Sequence, residues 1–143
     1  MGLSLTCRYE ADELVVHLGF APDGGRVASG ADVHAFRSAA EARCSPLKQK
    51  VHLFFDLTNL TVEAEQVEAF SASKRELSAR FGLSTWHYGG ALAERVMVRN
   101  DCTRRGEKPN LFKTVEEALA AFRKERRRIS AEMPSSGEGA RRR

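Results

Sequence analysis

The sequence predicts an α/β fold: a single domain with a mixed four- to five-stranded sheet, opened by a β-hairpin, and about four helices packed on it. Three observations lead there. The stretch VHLFFDL, residues 51–57, is almost continuously apolar and too short for a typical helix, as an interior strand covered on both faces requires. Two runs rich in apolar and β-branched residues, SLTCRYE and ELVVHLGF, precede it around a turn at Ala11-Asp12. Beyond them, strand-like and helix-like segments alternate, giving the order β-β-α-β-α-β-α-β-α, and right-handed crossovers then limit the topology.

Each element has its own signal. After the hairpin, Pro22 and Gly24-Gly25 mark a loop, and Val33, Phe36, Ala40 and Cys44 then recur at helical spacing, with Pro46 just beyond. Following VHLFFDL, Thr61 is the expected N-cap of a helix over 62–81. Glu63 and Glu65 fall in its first turn, Val67, Phe70, Leu77 and Phe81 form its apolar stripe, and Gly82 is the stop. LSTWHY reads as a strand ended by Gly89-Gly90. Residues 91–105 fit a helix through Leu92, Val96 and Arg99, although RVMVRN also alternates like a strand; Gly106 and Pro109 favour the helix. PNLFKT supplies a last short strand. Thr114 and Glu117 then stand in capping-box spacing before a helix whose apolar face is Val115, Ala118, Leu119 and Phe122.

Composition bounds the function. The 143 residues are 42% hydrophobic and 29% charged, ordinary for a globular chain, and suffice for one domain. No apolar run approaches the roughly 20 residues that span a bilayer, and no basic region followed by an apolar block marks a secretory signal. Cys7, Cys44 and Cys102 are odd in number and widely spaced, which fits a reducing compartment, so a cytoplasmic location is expected. Arg outnumbers Lys 17 to 6 and alanine is plentiful, as in GC-rich bacterial genomes. The net charge of +4 is unevenly placed. Eight of the 23 Lys/Arg and three of the 19 Asp/Glu lie in residues 123–143, leaving 15 and 16 in the other 122. The expected division is a folded domain over 1–128 and a disordered Arg-rich tail over 129–143. A solvated tail is preferred over one that binds nucleic acid or an anionic membrane, because glutamates interrupt its basic runs.

The element order, together with VHLFFDLTNLT, VEAEQVEAF and NLFKTVEEALAAF, resembles the SpoIIAA-like branch of the STAS superfamily, which includes anti-sigma-factor antagonists. In such domains a central strand ends in an Asp-Leu-Ser/Thr-x-hydrophobic-Thr segment, matched here by Asp56 to Thr61, and a final short strand runs into an acidic-then-apolar helix, matched by LFKTVEEALAAF. The resemblance covers roughly residues 3–128 by element order. It implies a non-enzymatic domain that docks a protein partner through the β–α edge after the central strand. Asp56, Thr58, Asn59, Thr61, Glu63 and Glu65 are the partner-binding residues this implies. Phosphorylatable antagonists carry a serine about nine residues after the strand-end aspartate, a place occupied here by Glu65. The usual phosphoserine switch is therefore expected to be absent, with Thr61 only a remote substitute.

The residues alone yield no reaction. At the carboxyl edge of the sheet, Asp56, Thr58, Asn59, His87 and Gly89-Gly90 could converge, yet Asp and Asn commonly bond their own turn backbone, and that reading is preferred. His17, His34, His52 and His87 are isolated, with no metal-ligand spacing, so no metal and no cofactor is expected. No nucleophile elbow, P-loop or dinucleotide fingerprint occurs, so no catalytic residue is assigned. The alternative is a domain binding a small apolar ligand or lipid, which requires an apolar cavity beneath the helices.

Overall fold

Leu5–Glu10 (β1) and Val15–Phe20 (β2) form the predicted hairpin in a computed structural model that describes residues 2–132. A two-residue strand, Arg26–Val27 (β3), precedes the first helix, Gly30–Cys44 (α1), whose N-cap is Ser29: its hydroxyl accepts the Asp32 N–H at 3.2 Å. The four residues at helical spacing, Val33, Phe36, Ala40 and Cys44, are the ones α1 buries. Pro46 lies in a 3-10 turn that ends the helix, and Val51–Asp56 (β4) follows.

The sheet order is β1-β2-β4, then Gly82–Tyr88 (β6) and Leu111–Phe112 (β7); β1 and β2 are antiparallel and every later neighbour is parallel. The sheet is therefore mixed and five-stranded, with β4 in the middle. Thr61–Val62 (β5) leaves it to pair with β3. The helices after β5 are Val67–Phe81 (α2), Leu92–Arg104 (α3) and Val115–Glu132 (α4). Among the described residues no helix is long and apolar enough to cross a membrane.

Alternation along β4 divides the core. Val51, Leu53 and Phe55 face α1, α2 and α3, where Phe36 and Phe70 meet at 4.7 Å between ring centroids. Phe54 faces the other way, into a smaller cluster with Val15, Trp86, Ala118 and Phe122 beneath α4. Its ring lies 5.9 Å from Trp86 and 5.4 Å from Phe122, edge-on to the latter. Trp86 and Tyr88 share that face, as their alternation about His87 implies. The strand is thus sheathed on both sides, which accounts for its unbroken apolar sequence.

Three expectations need correction. The helix over 62–81 begins later: residues 61–62 pair as a strand, Ala64–Gln66 make a 3-10 turn, and α2 opens at Val67. Thr61 is therefore no N-cap, because its backbone is extended and its N–H bonds Gly25 O at 2.8 Å. Helix α3 exists, but it buries Glu94, Met97, Val98, Asp101 and Cys102, while Leu92 is 75% exposed. The stripe through Leu92, Val96 and Arg99 is the wrong face. In the capping box before α4, the Thr114 hydroxyl accepts the Glu117 N–H at 3.1 Å, but the Glu117 carboxylate reaches the Lys113 N–H, one residue early. Helix α4 continues to Glu132; the remaining tail, 133–143, lies outside the described residues.

Helix α2 passes into β6 without a loop. Gly82 permits this, since a Cβ there would stand 2.8 Å from Ser78 O.

Candidate functional site

The corner after β4 is held by its own hydrogen bonds. The Asp56 Oδ1 accepts the Thr58 N–H at 3.0 Å, the Leu57 N–H reaches Tyr88 O at 2.8 Å, and the Leu60 N–H closes a turn on Leu57 O at 3.1 Å. Asn59 takes a left-handed conformation with φ 72°, and its Nδ2 donates to Phe20 O at 2.9 Å, tying the corner to the hairpin. Beyond it, Glu63 pairs with Arg26 at 2.8 Å and its N–H bonds Val27 O at 2.9 Å. Glu94 of α3, itself 5% exposed, accepts the Val62 N–H at 3.1 Å, so the next helix is fastened to the same edge. Glu65 stands exposed on the 3-10 turn leading into α2.

The preferred turn role is thus what the geometry contains for Asp56, whereas the Asn59 side chain bonds Phe20 O of the hairpin and not its own turn. What remains outward-facing is Thr58, Asn59, Thr61, Glu65 and the start of α3, and a concavity of about 460 Å³ is bordered by Arg26, Asn59, Thr61 and Ala91. Close approach of the corner to the loop between β2 and β3 makes Gly25 indispensable: a Cβ there would lie 2.1 Å from Asn59 O. Gly25→Ala is expected to cost about 1–3 kcal/mol by forcing β3 and β5 apart. Slowed amide exchange at Thr61 in the parent, lost in the variant, would report it.

Of the residues expected to converge at the corner, Gly89 does meet Asp56 and Thr58, whose hydroxyl would be 2.5 Å from a Cβ at Gly89. His87 does not: alternation in β6 turns it to the opposite face of the sheet, against Phe55. On its own face, Asp56 borders a cleft of about 190 Å³ with Thr6, Arg8, His17, Gly19 and Tyr88. There the His17 Nδ1 lies 3.0 Å from the Tyr88 hydroxyl, and burial, then the Arg8 charge, holds His17 below its ordinary titration range. Burial, then the Asp56 carboxylate, pushes Tyr88 up to about 12.

The sequence missed a strongly perturbed pair, Lys74 and His87. Lys74 sits on α2 between Phe70 and Leu77, in the apolar stripe, and is 8% exposed. Its amine contacts His87 Nε2 and lies 4.5 Å from the centroid of the Phe55 ring. Burial brings it down from 10.5 to about 8. His87 is pushed well below its ordinary value by burial and then by the Lys74 charge. The signal was available: the spacing 67, 70, 74, 77, 81 is one stripe, and a lysine fills its middle position. In the same way Glu94 and Asp101 occupy buried positions of α3. Asp101 pairs with Arg75 at 2.6 Å, Arg104 at 3.3 Å and Arg105 at 3.1 Å.

Among the described residues no three His, Cys, Asp or Glu side chains are grouped to hold a metal ion. The thiols are poor nucleophiles: burial raises Cys7, Cys44 and Cys102, Cys44 to about 11. In the basic run of α4, Arg123 and Arg126 pair with Glu13, and Arg128 with Glu125 and Glu132. No protein-family model matches the chain, and no curated protein matches it at a significant level.

Proposed function

We propose that the protein is a regulatory or scaffolding module of SpoIIAA-like form, without catalytic activity of its own, that docks a protein partner at the corner after β4. The observation that carries this reading is Leu92. Among the described residues it is the most exposed of the large apolar side chains, at 75%, and it stands at the start of α3, directly after Ala91 on the border of the corner concavity. A partner would seat an apolar side chain against Leu92 and a basic one against Glu65, with Thr58, Asn59 and Thr61 offering polar contacts between them. Asp56 and Glu63 shape the surface through their internal bonds. The internal bonding of the corner supports a preorganised surface, which lowers the ordering cost of association.

Glu65 offers no serine hydroxyl to form a phosphate ester, so the usual phosphoserine switch of phosphorylatable counterparts has no acceptor at this position. The pairing of Arg123, Arg126 and Arg128 with glutamates favours a protein partner over nucleic acid or an anionic membrane. The apolar-ligand alternative gains less support, because Phe36 and Phe70 pack against each other in the buried cluster beneath α1 and α2.

The test is affinity purification with the parent chain, followed by binding measurements on the purified pair. Glu65→Arg and Leu92→Asp are each expected to raise Kd about tenfold or more, about 1.4 kcal/mol, and Ile129→Asp to leave it unchanged. A partner that binds all four proteins equally would show that the corner is not the docking surface.

A further inference from the structure

A second site lies away from the corner, in a cleft of about 410 Å³ between α2, the first residues of β6 and the end of α3. Its size is that of a small-molecule site. Lys74 and His87 line it, together with three further cations, Arg75, Arg105 and Lys108. Two carboxylates share the wall, but Glu107 pairs with Arg105 at 2.6 Å and Asp101 is engaged by guanidinium groups, so both orient cations.

The Lys74 amine is chemically unusual for its surroundings. Its contacts are an imidazole nitrogen and an aromatic face, and neither carboxylate of the cleft pairs with it. The Nδ1 of His87 lies 2.8 Å from Pro109 O, and a carbonyl oxygen only accepts, so Nδ1 carries the ring proton. That leaves the Nε2 lone pair directed at Lys74, in position to take a proton from the amine. A nucleophilic amine beside a fixed base, in a cleft rimmed by cations, is an arrangement suited to anionic carbonyl compounds.

We propose that this cleft binds a small aldehyde or ketone bearing a carboxylate or phosphate and captures it reversibly as an imine on Lys74. The neutral amine adds to the carbonyl carbon, forming a C–N bond while the C=O π pair moves to oxygen. His87 Nε2 takes an amine proton and passes it to that oxygen. The C–O bond then breaks, the second amine proton leaves, and water departs as C=N forms. Both amine hydrogens end on the water, and no oxidant or reductant is consumed. Lys108, which pairs with no carboxylate among the described residues, holds the anionic group, with the carboxylate-paired Arg75 and Arg105 beside it. The cleft environment favours the neutral amine: burial lowers Lys74, Arg105 lowers it further, and Cys102 and Asp101 of α3 oppose them. With a value of about 8, about a tenth of the amine is neutral at pH 7, a few hundredfold more than for an ordinary lysine.

The experiment uses glyoxylate with sodium cyanoborohydride, which reduces the imine irreversibly, followed by peptide mapping of the intact parent chain. Lys74 is expected to be labelled at least tenfold faster than Lys48, Lys50, Lys108, Lys113 or Lys124, despite its burial. Acetaldehyde, which lacks the anion, should label it at least tenfold more slowly than glyoxylate does. His87→Gln, verified as folded by circular dichroism, should slow labelling at Lys74 while leaving Lys48 unchanged. Labelling of Lys74 no faster than of Lys48 overturns the proposal, and that comparison needs no variant. Equal rates with the two aldehydes overturn the anionic class of ligand.

Discussion

Phe54→Ala is expected to lower the unfolding free energy by about 3–5 kcal/mol, a large share of what a domain of this size possesses. Phe54 is fully buried and is the only phenylalanine of β4 that faces α4, where the His52 ring also lies, 4.7 Å from Phe122. Its removal takes away the contacts with His17, Trp86 and Phe122 together, leaving a cavity that a parallel strand paired on both sides cannot collapse to fill. Urea denaturation followed by circular dichroism should show a lower midpoint with an unchanged slope. A loss below about 1 kcal/mol would mean that α4 does not seal this face. Leu83→Ala, at a position 53% exposed, is the control and should stay within about 0.5 kcal/mol of the parent.

The second large effect is a pH dependence belonging to Lys74. Burial puts the amine at about 8 in the folded chain against an ordinary 10.5, so between those values the unfolded chain holds a proton that the folded one has released. Stability contributed by this group therefore rises with pH across that window, and the penalty for the buried cation is fully present below about pH 8. Its size is about 3 kcal/mol. The groups around it are His87 on β6, Cys102 and Asp101 on α3, and Arg105 just after α3. Lys74→Met removes the penalty but keeps the apolar stem. The stability of the variant minus that of the parent should fall by about 3 kcal/mol from pH 7 to pH 10.5, whatever the packing offset at either end. A difference that stays constant would place the amine in solvent.

Much of the architecture was legible because it follows from periodicity. VHLFFDL has no polar alternation, and the fold places it where none is needed, between α1–α3 on one side and α4 on the other. The four buried positions of α1 follow from helical spacing, and the two hairpin strands from their apolar and β-branched composition. The corner was legible in part. Asp56 and Asn59 bond backbone, as these residue types do, but the Asn59 partner lies in the hairpin, 39 residues away, which no local pattern announces. Residues 61–62 were misassigned because Glu63 and Glu65 resemble a helix start. Pairing with β3, a two-residue strand without a signal of its own, outweighs that preference. In α3 the expected stripe ran through Leu92, Val96 and Arg99, and Leu92 proves exposed. Asp101 and Glu94 are buried instead, because Arg75 and the Val62 N–H compensate them from other elements.

The loopless passage from α2 into β6 has a further consequence. Phe81 and Gly82 act as an elbow without slack, and Lys74 hangs from one arm while His87 hangs from the other. Their separation is thus a property of one continuous piece of backbone, indifferent to how firmly α1 or α4 is seated. One residue inserted at that elbow would swing the imidazole across the sheet and strand the amine alone.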